Sequence, residues 1–253
     1  MPGANSVTSN QETIHKDLEE VVRKYARTTF LRPIADHTRE AFAAAEEFVR
    51  KFYGNAGTAP SAVILDSGCG TGESTIHIAR RFPNIPVIGI DKSCARLNKA
   101  GNPSQTAGEE IPANAFWIRA ELLDFWRLAL DHVKAGKWTI PYHAVYYPNP
   151  WPKQSEATRR FHMHPIFPTL LALGETIELR TNWEIYAREF AEAARIAYDE
   201  HSKQAKEGNK GDSRSGAGMT IKCESFDPEK PETAFERKYK EARQKLWRAF
   251  IKT

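Results

Sequence analysis

Apolar and polar residues change period twice along the chain. From Gln11 to Arg27, Ile14, Leu18, Val21, Val22 and Tyr25 recur at helical spacing, and Pro33 closes that stretch. A second amphipathic helix is predicted after it, with Phe42, Ala45, Phe48, Val49 and Phe52 on one side and Gly54-Asn55-Ala56-Gly57 as its stop. The period then shortens. Val63 to Leu65 is an apolar run that reads as a buried strand, and Glu73 to Phe82 follows as a helix with Ile76, Ala79 and Phe82 on one face. Pro83 to Pro86 stops that helix, and Val87 to Ile90 starts a second strand. The same alternation continues: helix Lys92 to Ala100, polar loop Gly101 to Pro112, strand Ala115 to Ala120, helix Leu122 to Val133, strand His143 to Tyr147. A helix ending at Gly174, a strand from Glu175 to Arg180, a long helix from Trp183 through Ala197 and a strand from Met219 to Cys223 complete the pattern. Residues 1 to 10 read as disordered, and His201 to Gly218 as a flexible surface connection lacking apolar residues. The basic final segment ends in Leu246-Trp247-Arg248-Ala249-Phe250-Ile251 and receives no element. No internal repeat is visible. Strands alternating with helices predict an α/β fold around a mostly parallel sheet, here as an N-terminal helical extension (1–58) followed by one α/β domain (59–253).

The chemistry concentrates at Asp66-Ser67-Gly68-Cys69-Gly70-Thr71-Gly72, between the first strand and its helix. Gly68, Gly70 and Gly72 let the backbone turn sharply and approach a ligand closely. The spacing is G-x-G-x-G with no following lysine, which excludes a P-loop and matches a dinucleotide fingerprint poorly. Asp66 places a carboxylate beside the turn, where it repels phosphate and pairs with an ammonium. Asp91, ending the second strand, is placed to accept hydrogen bonds from a ribose diol. An amino-acid ammonium and an adenosine ribose occur together in S-adenosylmethionine (SAM). The run D-S-G-C-G-T-G resembles the first motif of SAM-dependent methyltransferases.

Composition narrows the class. The chain has 253 residues, enough for an independent core, and 36 Lys plus Arg against 32 Asp plus Glu leave a net charge of +4. That balance is compatible with nucleic acid without pointing to it. Three scattered cysteines, Cys69, Cys94 and Cys223, fit a reducing compartment and form neither a zinc cage nor a disulfide frame. No apolar run reaches membrane-span length and the first residues are not a signal peptide, so a cytoplasmic protein with no membrane and no metal is expected. Between the first two helices lie Arg23, Lys24, Arg27, Arg32 and Arg39, read either as a solvated face or as a phosphate-contacting arm.

Other candidates lie at strand ends. Glu121 follows the third strand, where it either faces an adenine amino group or stabilises a helix N-terminus. Pro148-Asn149-Pro150-Trp151-Pro152-Lys153 follows the fourth strand; its three prolines make it stiff. Lys153, Arg159, Arg160, His162 and His164 then interleave with Trp151 and Phe161, a mixture that suits phosphate contact and base stacking. His162 and His164 lack partners at metal-ligand spacing.

The glycine loop, the P-x-P-W-x-K block, the T-x-W-x-x-Y block and the T-x-F-E block occur in that order. Together they resemble the tRNA (guanine-N7)-methyltransferase family of the bacterial single-chain type, over roughly residues 60 to 250. The resemblance implies a Rossmann-like class I SAM-dependent methyltransferase with a seven-stranded, mostly parallel sheet flanked by helices. It implies SAM as cofactor, tRNA as partner and a guanine in its variable loop as substrate; monomer and homodimer both stay open. Contacts carried over from the family fall on Glu121, Lys153, Arg159, Arg160, Thr233 and Glu236. Two positions depart: the family usually has Asp where this chain has Asn149 and Asn182. Asp66, Gly68, Gly70, Gly72, Asp91, Glu121 and Asn149 are the expected cofactor contacts. Lys153, Arg159, Arg160, Asn182, Thr233 and Glu236 are the expected substrate contacts, and Asn149 and Glu236 the catalytic pair. Two other readings stand beside this one. Asn149-Pro150-Trp151 resembles the Asn-Pro-Pro-aromatic loop of amino methyltransferases, which would make the acceptor another nucleophile. Loss of two carboxylates fits a catalytically weakened SAM- or RNA-binding relative.

Overall fold

The computed structural model describes residues 6–54, 60–101, 110–207 and 218–253. The elements run α1 (Leu18–Ala26), α2 (Asp36–Phe52), β1 (Ser61–Ala62), β2 (Ile64–Ser67), α3 (Glu73–Arg81), β3 (Val87–Asp91), α4 (Cys94–Leu97), β4 (Ala115–Arg119), α5 (Leu122–Lys134), β5 (Trp138–Thr139) and β6 (His143–Tyr146). Two 3₁₀ turns follow (Gln154–Arg159 and Phe161–Met163), then α6 (Phe167–Leu171), β7 (Thr176–Thr181), α7 (Glu184–Glu207), β8 (Thr220–Phe226), α8 (Ala234–Glu241) and β9 (Leu246–Lys252). Among the described residues, seven strands form one sheet in the order β4-β3-β2-β6-β7-β9-β8. β2 runs parallel to β3 on one side and to β6 on the other. β9 is antiparallel to both of its neighbours. Every residue of β2 and β3 is buried, as expected of parallel strands covered on both faces. This is the Rossmann-like, mostly parallel seven-stranded sheet expected from the sequence. The strand order reverses at β2, between β3 and β6, and such switch points are where open α/β sheets bind ligands.

The chain divides into two compact units. The first comprises Arg32–Tyr146 with Pro228–Arg237. In it, the Phe42 ring of α2 packs against Phe125 at 5.0 Å, Trp138 at 5.1 Å and His132 at 4.8 Å. Asn114 explains the abrupt end of α3: its amide donates to the carbonyls of Ala79, Phe82 and Ile85 at 3.1, 2.9 and 2.8 Å. Beneath the sheet end, Ser67 Oγ accepts from Trp126 Nε1 and lies against His143 Nε2, both at 2.8 Å.

The second unit comprises Met1–Leu31, Tyr147–Asp227 and Lys238–Thr253. There α1 lies against α7, and the buried carboxylate of Glu200 accepts from Arg23 at 3.0 Å and Arg27 at 2.6 Å. In the first unit Arg32 bonds Asp124 at 2.9 Å. Three of the five cations between the first helices are therefore ion-paired within their own units.

Five expectations change. The helix expected from Gln11 begins only at Leu18. The helix expected from Lys92 to Ala100 shrinks to Cys94–Leu97, capped by Ser93, whose Oγ accepts from Arg96 N–H. Residues 201 to 207 continue α7 instead of forming a surface connection, because Gln, Ala, Lys and Glu are good helix formers; 208–217 lie outside the described residues. Leu246–Lys252 is a strand, β9, with Leu246, Ala249 and Ile251 buried; the Arg248 guanidinium lies over the Phe226 and Phe250 rings, so its charge does not break the strand. Of the disordered 1–10 stretch, residues 6–10 are placed, and Ser9 makes a defined hydrogen bond. The loop expected over 101–112 and the stop at 54–57 fall largely outside the described residues.

Phe42→Ala should cost about 3–5 kcal/mol of stability, the usual cost of truncating a buried aromatic, and urea unfolding measures it. A cost below about 1 kcal/mol would show that α2 does not close this core.

Candidate cofactor site and substrate loop

In the first unit the glycine turn caps β2. Gly68, Gly70 and Gly72 have φ of 80, 60 and 81°, the left-handed region that glycine adopts without strain. Gly72 is required twice over, since a Cβ there would sit 2.3 Å from Trp117 Nε1. A Cβ on Gly70 would meet open space. Two acids hold the turn. Asp66 Oδ2 accepts from Ser74 Oγ at 2.6 Å and Thr75 Oγ1 at 2.7 Å, reaching across the turn to the first residues of α3. Asp91 accepts from Gly70 N–H at 3.0 Å and Ser93 N–H at 2.7 Å, and Arg96 lies 3.7 Å away. The Gly68 and Cys69 amides donate to the Ile90 carbonyl, so the turn is pinned to β3 as well.

Asp66 is 1% exposed, and its Oδ1 is buried without a hydrogen-bond partner among the described residues. An acceptor left so costs on the order of 1–3 kcal/mol unless a ligand donates to it. Burial pushes the carboxyl up to about 6, against the Ser74 and Thr75 hydrogen bonds that favour its anion; the Glu232 and Asp91 charges push it further up. A cationic donor at Oδ1 would relieve both the missing bond and the raised value, so these residues fit the ammonium of an amino-acid-bearing cofactor. Glu121 begins α5 with extended backbone and makes no side-chain cap, while its N–H donates to Thr38 Oγ1 at 3.2 Å. Among the described residues no cluster of His, Cys, Asp and Glu is arranged to hold a metal, and no helix is long and apolar enough to cross a membrane.

The T-x-F-E block lies in the same unit and starts α8. Thr233 Oγ1 accepts from Glu236 N–H at 3.0 Å, and Glu236 reaches back to accept from Glu232 N–H at 2.7 Å. This is a capping-box arrangement whose return bond falls on Glu232, the residue before the Thr233 cap. Glu236 is fully buried and Thr233 nearly so. Two ion pairs fasten the segment to α3: Arg81 to Glu232 at 3.0 Å, and Arg237 to Glu73 at 2.5 Å. Thr233 and Glu236 thus shape a helix start beside α3, a role that their spacing announces.

In the second unit the Pro148–Lys153 loop carries the other candidates. Asn149 is exposed, and its Oδ1 lies 3.4 Å from Trp151 N–H. Trp151 has φ 45°, a left-handed backbone that costs a non-glycine residue on the order of 1 kcal/mol. Arg160 offsets it, donating through Nε and Nη2 to the Trp151 carbonyl at 3.2 and 3.0 Å. Arg160 is itself fully buried, its Nη1 bonded to Glu189 at 2.7 Å and its guanidinium 4.8 Å from the Trp183 ring centre. Its cation is committed to the loop and is not presented to a phosphate. Arg159 is exposed and lies 4.5 Å over the Trp151 ring; Lys153 is exposed. Asn182 donates to Gln244 at 3.1 Å. The structure therefore collects Asp66, the glycines, Asp91, Glu121, Thr233 and Glu236 in one unit, and Asn149, Lys153, Arg159, Arg160 and Asn182 in the other.

Three residues that matter escaped the sequence reading. Ser74 and Thr75 bind Asp66, and two hydroxyls in the first turn after an acid-ended strand are a readable sign of that. Glu189 receives Arg160, and His162 at 2.9 Å. Burial pushes Glu189 up, but the His162 hydrogen bond and the His162 and Arg160 charges win and hold it at about 2. An acid on the apolar face marked by Tyr186 and Phe190 was the available signal.

Comparison with known proteins places these features. A trans-aconitate 2-methyltransferase of Deinococcus radiodurans is 55% identical over 42 residues, 17% of this chain and 16% of that protein. A tRNA (guanine-N(7)-)-methyltransferase of Mycolicibacterium gilvum is 32% identical over 138 residues, 51% of this chain and 49% of its own. The chain therefore spans about half the length of the curated tRNA relatives it matches. A solved structure described as that of an antibiotic related methyltransferase aligns with TM-score 0.45 and 14% identity, covering 90% of this chain and 97% of that one. The family model Methyltransf_4, which describes a methyltransferase, matches residues 60–249. With the glycine turn, both acids and the T-x-F-E block inside that match, the chain belongs to the Methyltransf_4 methyltransferase family.

Proposed function

We propose that this chain transfers the methyl group of SAM to N7 of a guanine in tRNA. The observation that carries the cofactor half is Asp66: a buried carboxylate with one unpartnered oxygen, at the strand end where the sheet order reverses. The RNA half is supported by the four sequence blocks in order, and by relatives in Mycolicibacterium gilvum and Neisseria meningitidis that are named tRNA (guanine-N(7)-)-methyltransferases.

SAM supplies an electrophilic methyl on a sulfonium. In this reading Asp66 Oδ1 would accept from its ammonium, and Asp91 would use the lone pairs left by the Gly70 and Ser93 amides to orient a ribose. Open space at Gly70 leaves room for the backbone to approach the ligand. Guanine N7 carries an exposed lone pair and no proton, so no general base is needed. The remaining work is alignment, which supplies several kcal/mol in well-oriented reactions. A guanine that accepted the methyl would gain positive charge, and a nearby anion would stabilise that change. Of the two residues expected from the resemblance to be catalytic, Asn149 carries no charge and Glu236 does. Lys153 and Arg159 are the exposed cations for the RNA backbone, with Trp151 beside them as a stacking face.

Incubation with labelled SAM and bulk tRNA, followed by borohydride–aniline cleavage, should give strand scission at one guanine. Label on adenine, on a small molecule or on no RNA would overturn the tRNA reading. Glu236→Gln keeps the capping box, since Gln serves at that position as well as Glu. Turnover should then fall roughly 10- to 1000-fold with thermal stability nearly unchanged, the loss expected when one stabilising charge is removed; unaltered turnover would confine Glu236 to capping. Asp66 sets a pH dependence. Its folded value lies above that of an exposed aspartate, so its contribution to stability is lost as pH rises from about 4 to about 6. An ammonium at Oδ1 favours the anion, so binding expels a proton below about pH 6. Affinity for S-adenosylhomocysteine should rise with pH up to that point, by at most about tenfold per unit, and Asp66→Asn should flatten the curve and weaken binding. A flat wild-type profile in calorimetry would remove Asp66 from the cofactor contacts.

A further inference from the structure

The stretch Ser9–His15 precedes every motif and lies outside the matched family region, yet it is bonded to the same loop that carries Trp151. Ser9 Oγ donates to the Pro152 carbonyl at 2.6 Å and also accepts from Gln11 N–H at 3.0 Å, which folds the stretch back on itself. Gln11, only 7% exposed, donates from Nε2 to Glu189 Oε1 at 2.6 Å, and His15 N–H donates to the same oxygen at 2.8 Å. The other oxygen, Oε2, takes Arg160 at 2.7 Å and His162 at 2.9 Å. Glu189 is fully buried and so divides its two oxygens: one serves the N-terminal stretch, the other the Arg160 that clamps the Trp151 carbonyl.

We propose that Ser9–His15 is a positioning strap: through Ser9 and the shared Glu189 carboxylate it holds the Pro148–Arg160 loop in the form that presents Trp151 and Arg159 to RNA. Trp151 is the strained residue of that loop. Its left-handed backbone is unfavourable alone and persists because its neighbours over-determine it. Arg160 contributes two hydrogen bonds to that carbonyl, but Arg160 can be buried only while Glu189 is fixed opposite it. Glu189 in turn needs donors on both oxygens, because a buried carboxylate short of hydrogen bonds is costly. Removing Gln11 and Ser9 donors therefore loosens the loop without touching a residue that faces RNA. Ser9 acts on the next carbonyl along, so two consecutive carbonyls, those of Trp151 and Pro152, are held. The inference rests on the RNA reading above for what the loop presents, and on geometry alone for the strap itself.

The test uses the full chain carrying Ser9→Ala and Gln11→Leu, with Ser9→Ala alone as a milder second variant. Hydrogen exchange of the amides over 148–160 should speed up by about tenfold or more in the double variant, as lost buried hydrogen bonds predict, while β7 amides stay protected. The KM for tRNA should rise by about tenfold, with S-adenosylhomocysteine affinity and kcat at saturating tRNA within about twofold of wild type. Unchanged exchange over 148–160 overturns the strap. Faster exchange with an unchanged KM overturns its role in positioning for RNA. If the double variant unfolds globally, the same two readouts on Ser9→Ala decide, with smaller changes in the same direction expected. Should the wild-type chain not methylate tRNA, the functional reading fails, and the exchange result still decides whether the strap holds the loop.

Discussion

A buried carboxylate reaching back over a glycine turn is what the cofactor end of this fold depends on. Asp66, next to last in β2, points into a place that water does not reach, and an acid there must be hydrogen-bonded or neutralised. Ser74 and Thr75 satisfy one oxygen, which ties the end of the strand to the start of α3 and fixes how tightly the turn closes. Asp91 does the same from β3 by taking the Gly70 amide. The glycines are needed because both ends are held so close: with φ near +80° and an indole against its Cα, position 72 has no room for a side chain. What the fold leaves over is the second Asp66 oxygen. Polar atoms stranded in a native interior are uncommon, and one beside an open glycine backbone is the mark of a place where a ligand completes the structure.

The second unit solves a similar problem with Glu189. Its carboxylate lies between a loop and an N-terminal stretch, and four donors arrive at its two oxygens. Paired in this way it stays ionised far below the usual carboxylate range, despite burial that pushes the other way. Two buried acids in one chain sit on opposite sides of the ordinary value because one has a full set of donors and the other lacks them. The first is finished as a structural element. The second is not.

Much of this was legible beforehand. Runs of branched apolar residues at Val63 and Val87 announced buried strands, and D-S-G-C-G-T-G announced the turn between a strand and a helix. The mostly parallel character of the sheet follows from that alternation, whereas its strand order is seen only in the fold. What stayed hidden was set by distant contacts. β9 reads as a basic tail because the cover over its arginine, from Phe226 of β8 as well as from its own Phe250, is seen only in the fold. Arg160 reads as a phosphate ligand because only the fold brings Glu189 against it. The T-x-F-E block reads from the sequence as a family motif, and the structure shows that it is also a helix cap. Glu121 keeps both of its readings, since its side chain takes no cap.

The most direct test is a crystal structure of the chain grown with S-adenosylhomocysteine. The ligand's ammonium should lie within hydrogen-bond distance of Asp66 Oδ1, with its ribose hydroxyls on Asp91 and its backbone contacts along Gly68 to Gly72. A ligand bound elsewhere, or an Asp66 Oδ1 still without a donor beside a bound ligand, would contradict the central claim.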